Sequence, residues 1–257
     1  MSAQTQMSAL PIPPIELRRS VGIEDPAFFD NPEGRLVFGA DVPAANYRRV
    51  LDFGCGCGRI ARQMLMQHEI VPDRYLGLDL FRPSINWCRD NLRAPGFEFR
   101  HLNALNIGFN PNGVKHADFG ADEQFTLVNA HSVFTHITEP DLEFYFDQCA
   151  RRLSADGILR STWFLFDKIN FPMMQTFQNC LYINPDDLTN ATIYDAQFVR
   201  ELYAKRGLSI VTAHPPAIRG HQWLIYAKRG DGKHVEFQPD MAPTGLARPP
   251  ASIENRD

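Results

Sequence analysis

Val50-Leu51-Asp52-Phe53-Gly54-Cys55-Gly56-Cys57-Gly58 is an apolar run that ends in an acid and breaks into alternating glycines. Glycine at every second position lets the backbone lie directly against a ligand, and the helix that follows starts at that ligand. Tyr75-Leu76-Gly77-Leu78-Asp79 repeats the apolar run and the terminal acid one strand later. An acid at this second strand end sits where a ribose offers its two hydroxyls. Together the two stretches predict a nucleoside-cofactor site on an α/β scaffold.

Outward from this pair, strand and helix patterns alternate. Arg49 to Phe53 reads as a strand, and Arg59 to Gln67 as a helix with Ile60, Ala61, Met64 and Leu65 on one face. Tyr75 to Leu80 is the second strand; Pro83 opens a helix striped by Ile85, Cys88 and Leu92, and Phe97 to Asn103 is the third strand. Phe125 to Ala130 is nearly all apolar, as a parallel strand buried on both faces is. Leu142, Tyr145, Phe146, Cys149 and Leu153 mark a helix that stops near Asp156-Gly157, before a fifth strand from Ile158 to Phe166. Asp195 is placed to cap a helix carrying Phe198, Val199, Leu202 and Tyr203, which ends at Gly207. Leu208 to Ala213 and Gln222 to Lys228 are too close together for a helical crossover, so they pair antiparallel. The expected fold class is therefore α/β: a seven-stranded, mostly parallel sheet with helices on both faces and an antiparallel last strand.

One stretch breaks the alternation. Asp167 to Tyr194 far exceeds the roughly 2–6 residues usual for such a connection, and it carries Phe171, Met173, Met174, Phe177, Tyr182 and Tyr194. Residues 167–194 are expected to form a small cap insertion over the strand ends. Residues 1–14 read as a flexible N-terminus, 15–229 as one domain that includes an N-terminal segment at 15–48, and 230–257 as a disordered tail rich in proline and glycine.

Composition narrows the classes. The 257 residues suit one sizeable domain, and 44% apolar residues is ordinary for a globular protein. A net charge of −4 without a basic stripe disfavours a nucleic-acid backbone or an anionic membrane surface as partner. The five cysteines form no CxxC pair, so neither a disulfide framework nor a metal site is expected. No run approaches the ~18 apolar residues of a membrane span, and Met1 to Pro14 lacks the form of a secretory signal. These features point to a cytoplasmic protein; they leave the oligomeric state open.

The strand ends at Asp52, Asp79, Asn103 and Ala130 should line one crevice. A phosphate loop would need Lys and Ser or Thr after the last glycine, where Arg59-Ile60 stand. A dinucleotide fingerprint stays open: Arg59 breaks the first GxGxxG register, but Gly56-Cys57-Gly58-Arg59-Ile60-Ala61 satisfies GxGxxA. Asp52 counts against it, because a carboxylate beside a pyrophosphate is repelled. A ligand that is cationic near the loop, as S-adenosylmethionine is, suits that acid.

Here the chain resembles the class I S-adenosylmethionine-dependent methyltransferases, of Rossmann-like fold. The resemblance rests on Asp52-x-Gly54-x-Gly56-x-Gly58 with Asp79, on Phe125 to Ile137, and on Cys149 to Gly157. It covers Arg49 to Phe166 well and says almost nothing of the substrate. It implies S-adenosylmethionine as cofactor, with the Gly54-Cys55-Gly56 backbone along the methionine part and Gly58 closing the loop. Asp52 would reinforce the ammonium end, Asp79 would take both ribose hydroxyls, and Leu80 would lie on the adenine. Asn103 and Ala104 would edge the adenine, Asn103 in place of the more usual aspartate, while Ala130 and His131 would border the methyl group. Arg59 has two open readings: a partner of the cofactor carboxylate, or a solvated first-turn residue.

Methyl transfer is an in-line displacement, for which the protein mainly holds nucleophile and methyl together and excludes water. A base is needed only where the nucleophile must lose a proton. His131 is the first candidate and His136 the second; His214 is a weaker third. The acceptor is expected to be a small organic or sugar-like molecule reacting through oxygen or nitrogen, contacted by the cap and by Phe28-Phe29-Asp30-Asn31-Pro32. An NAD(P)-dependent oxidoreductase and a non-catalytic S-adenosylmethionine-binding protein are the alternative readings.

Overall fold

The computed structural model describes residues 10–120, 122–170, 174–218 and 221–239. Helix α1 (Ile15–Ser20) and three short 3-10 turns precede the sheet. Strands β1 (Arg49–Phe53), β2 (Arg74–Asp79), β3 (Phe97–His101), β4 (Phe125–Ala130) and β5 (Leu153–Phe166) run parallel in the order β3-β2-β1-β4-β5. The connections reverse direction between β1 and β4, which is where a parallel sheet opens a crevice.

Helices α2 (Arg59–Leu65) and α3 (Arg82–Asn91) cover one face, and α4 (Glu139–Arg151) and α5 (Ala196–Ala204) the other. Their apolar stripes are those of the sequence pattern: Ile60, Ala61 and Met64 pack with Ile85 and Cys88, while Leu142 and Phe146 pack with Val199 and Tyr203. Asp195 caps α5 as expected, its carboxylate accepting from Phe198 N at 3.0 Å. No helix among the described residues is long and apolar enough to cross a membrane.

The seven expected strands are present, with β8 (Leu208–His214) and β9 (Trp223–Arg229) antiparallel to each other and β9 antiparallel to β5. The sheet nevertheless has nine strands. Strand β5 runs past the body of the sheet, and Phe164–Phe166 expose an edge there. Two short strands from the insertion, β6 (Cys180–Tyr182) and β7 (Thr192–Asp195), cover it. Tyr194 is fully buried and donates to Ile137 O at 2.6 Å, so these apolar residues knit the insertion to the start of α4. Phe171 and Met173 lie outside the described residues.

The two ends were expected to lie free. Residues 230–239 instead pack: Phe237 is 7% exposed, sits 5.5 Å from the Trp223 ring and lies under the Arg200 guanidinium. At the other end, Leu10 and Pro11 offer carbonyls to Arg62 at 2.9 and 3.1 Å. Residues 1–9 and 240–257 of the two expected flexible ends lie outside the described residues.

Candidate active site

The chain leaves β1 in a turn that folds back over β2. Gly54 N and Cys55 N both donate to Leu78 O, at 2.7 and 3.0 Å. Gly54 (φ 79°) and Gly56 (φ 53°) take the left-handed conformation, and a Cβ on either would run into Val133 or Val21 respectively. Only glycine serves at both positions. Gly56 N then donates to Asp79 Oδ2 at 2.8 Å, while Phe81 N donates to Oδ1 at 2.7 Å. Each carboxylate oxygen keeps a lone pair for a ligand. Burial pushes the Asp79 carboxyl up to about 6, against the pull of the Phe81, Gly56 and Leu80 amides.

Above the C-terminal strand ends lies a cavity of about 910 Å³, near the top of the size range of small-molecule sites. Gly54, Cys55, Gly56, Asp79, Leu80, Ala104, His131 and His136 line it, as the sequence reading placed them. Around Leu80 and Ala104 its wall is apolar, completed by Phe81, Leu102, Leu105 and Phe109.

Four expected site residues do not line it. Asn103 follows Leu102 and precedes Ala104, both turned inward, so its own side chain points out and accepts from Asn110 Nδ2 at 3.2 Å. Ala130 is fully buried within β4, one residue short of the wall. Gly58 caps α2, where a Cβ would strike Leu92 of the α3 end, so its glycine serves helix packing. Asp52 is fully buried beneath the loop. Nor does the Phe28–Pro32 segment reach the cavity: Phe29 is buried against α2, and Arg62 holds its carbonyl. Ser20, Val21, Gly22 and Ile23 reach the cavity instead, and among the described residues of the insertion only Thr189 does.

Asp52 belongs to a polar row across four strands, in register Asp52–Asn129–Arg160–Tyr226. The Tyr75 hydroxyl donates to one Asp52 oxygen, and Asn129 Nδ2 donates to the other at 2.6 Å. Arg160 Nη1 donates to Asn129 Oδ1 at 2.8 Å and to His131 Nδ1 at 3.3 Å. Burial raises the Asp52 carboxyl, and these donors work against it.

Hydrogen-bond partners fix the tautomers of both histidines. A guanidinium only donates, so His131 Nδ1 accepts and its proton sits on Nε2. Burial and the Arg160 and Arg59 charges hold the His131 imidazolium down to about 3. His131 is therefore a neutral N–H donor toward the cavity, the opposite of a base. His136 is reversed: its Nδ1 faces Thr189 O at 3.1 Å and must donate, which leaves Nε2 free to accept a proton.

Arg160, Asn129 and Ser132 were missed as site residues. Arg160 and Asn129 were visible as polar residues inside apolar strands, the signature of a buried group with partners. Ser132 (φ 55°) is, among the described residues, the non-glycine residue held at positive φ, and no local pattern announces that.

Residues 50–157 match the family model described as a methyltransferase domain. A malonyl-[acyl-carrier protein] O-methyltransferase of Bacteroides fragilis (strain 638R) is 26% identical over 162 residues, covering 62% of this chain and 30% of that protein. The chain thus spans under a third of that relative's length. A solved S-adenosylmethionine-dependent methyltransferase from Mesorhizobium loti superposes with a TM-score of 0.51 at 14% identity, over 74% of this chain and 94% of that one, and shows the same fold. Residues 50–157, which hold Asp79 and the glycine loop at the mouth of the cavity, are thus similar to methyltransferase domains, on a fold shared with a solved S-adenosylmethionine-dependent methyltransferase.

Proposed function

We propose that this protein moves the methyl group of S-adenosylmethionine to oxygen or nitrogen of a small organic acceptor by in-line displacement. The observation that carries the reading is Asp79, whose two oxygens are steadied by loop amides and still open to the cavity. Asp79 would accept from both ribose hydroxyls, and Leu80, Leu102 and Phe109 would enclose the adenine. Loop carbonyls between Gly54 and Gly56 would accept from the ammonium, with Asp52 acting from one layer below. Arg59, on the cavity wall and without an ion pair among the described residues, would take the cofactor carboxylate. Bound there, the sulfonium supplies an already activated methyl carbon. The Bacteroides relative, an O-methyltransferase by name, favours oxygen as nucleophile.

A ribose seat alone would also serve NAD, so binding decides. Calorimetry on the purified chain is expected to show S-adenosylmethionine and S-adenosylhomocysteine bound at micromolar concentration and NAD not at millimolar. Tight NAD binding without affinity for the sulfur compounds would overturn the reading.

His136 is the base in this scheme, through Nε2. With an acceptor that must lose a hydroxyl proton, His136→Gln should lower kcat by about 10²–10⁴ while leaving S-adenosylhomocysteine affinity within about threefold. Wild-type kcat in that variant would remove His136 from the chemistry.

A further inference from the structure

The far side of the cavity presents hydrogen-bond donors. Arg160 lines the cavity and is 7% exposed; its guanidinium lies 4.3 Å from the Phe38 ring centroid and bonds Tyr226, while its Nε, itself shut off from solvent, has no partner. Arg59 makes no ion pair or hydrogen bond through its guanidinium among the described residues, and neither does Arg160 make an ion pair. His131 offers Nε2–H. The Ser132 hydroxyl accepts from Gln222 Nε2 at 2.8 Å and keeps its own proton to donate. Ser132 is locked in place by a ring of bonds, its amide donating to Thr162 Oγ1 at 2.7 Å and Thr162 donating to Gln222 Oε1. The charges do not cancel locally. Two guanidiniums stand near one buried carboxylate, Asp52, which reaches Arg160 through Asn129.

Two buried guanidiniums beside one carboxylate leave the wall of the cavity net positive, a cost that a bound anion offsets. We propose that Arg160, with His131 and Ser132 beside it, is the seat of a carboxylate carried by the methyl acceptor. This rests on the methyltransferase reading. Strand spacing separates β2, where Asp79 ends, from β5, which carries Arg160, by three steps, roughly 14 Å. Arg59, beside the loop, is the one placed for the cofactor's carboxylate, and Arg160 is left for the second ligand. A carboxylate clasped by guanidinium makes a weak nucleophile, so it serves as the handle. The reacting hydroxyl or amine is a separate group that faces His136. The acceptor class is therefore a small hydroxy- or amino-carboxylic acid.

The test uses matched acid and amide probes: benzoate with benzamide, 3-hydroxybenzoate with 3-hydroxybenzamide, and 3-phenylpropionate with its amide. Binding is measured by calorimetry with and without saturating S-adenosylhomocysteine. The acids are expected to bind wild type about tenfold to a hundredfold tighter than their amides, the scale of one or two hydrogen bonds to a charged group. Arg160→Met should abolish that preference while S-adenosylhomocysteine affinity stays within about threefold. Arg160→Lys keeps the positive charge, so it should fold even if Arg160→Met does not, and without the guanidinium fork it should reduce the preference several-fold. Three results overturn the proposal: no acid preferred over its amide, a preference that survives in the folded variants, or Arg160→Met weakening S-adenosylhomocysteine but not 5′-methylthioadenosine, which lacks the carboxylate. Failure of wild type to bind S-adenosylhomocysteine would count against the methyltransferase reading alone, since the probes without nucleoside still report on the anion seat.

Discussion

Asp79→Ala is expected to weaken S-adenosylhomocysteine binding by about 10²–10⁴, because two hydrogen bonds from ribose hydroxyls to a charged acceptor disappear together. The substitution also frees Gly56 N and Phe81 N, which the carboxylate now holds at 2.8 and 2.7 Å, so the glycine loop loses its anchor to β2. Asp79→Asn keeps one acceptor oxygen and should lie between the two. The pH dependence separates charge from shape. The ionised carboxylate is the form that accepts from both hydroxyls, and burial raises its pKa to about 6 in the ligand-free protein. Affinity should then be level above about pH 7 and fall roughly tenfold for each unit below 6, because the proton must leave before the ribose can be held. Asp79→Asn should flatten this profile. Titration calorimetry between pH 5 and 8 reads both effects. A loss under threefold in Asp79→Ala, or a wild-type profile flat down to pH 5, would remove Asp79 from the ribose site.

What the sequence could say follows from how local each signal is. The glycine loop, Asp79 and the apolar strands are local, since their pattern depends on backbone conformation and on alternation within one element. They appear where the residues predicted them. Side-chain direction at strand ends is less local. Leu102 and Ala104 face inward and Asn103 does not, because β3 stops at His101 and the chain turns tightly at Asn103, with Ala104 N donating to Leu102 O at 2.8 Å. Asp52 lies beneath the cavity wall instead of in it for a related reason. An acid at a strand end can face the ligand or lie in a row across the sheet, and only the register of β1, β4 and β5 shows which. The histidines are the clearest case. Sequence distance favoured His131, while the partner of each Nδ1 gives the basic nitrogen to His136. Such partners come from Arg160 and Thr189, far along the chain. The extra strands β6 and β7 are three and four residues long, too short for any periodicity to register.

The cross-sheet row predicts the largest effect on stability. Asp52→Ala is expected to cost about 3–5 kcal/mol, the scale of breaking a buried charge arrangement from one side. The raised pKa of Asp52 shows that burial makes its ionised form expensive, so the cost lies in what the variant leaves behind rather than in a favourable carboxylate. The Tyr75 hydroxyl and the Asn129 amide lose their acceptor, and Arg160 loses the negative charge nearest to it in the row. That account has a testable corollary: removing the guanidinium as well should return part of the loss. Asp52→Ala with Arg160→Met should therefore be less destabilised than the sum of the single variants by at least about 1 kcal/mol, the size expected of residues in one network. Urea unfolding of the four proteins reads this directly, provided the m values agree. Additive losses would mean that Asp52 and Arg160 do not sense each other through Asn129. Because Asp52 does not line the cavity, the folded Asp52→Ala protein should also lose less S-adenosylhomocysteine affinity than Asp79→Ala. The reverse order would place the Asp52 carboxylate in contact with the cofactor and make the row part of the binding site.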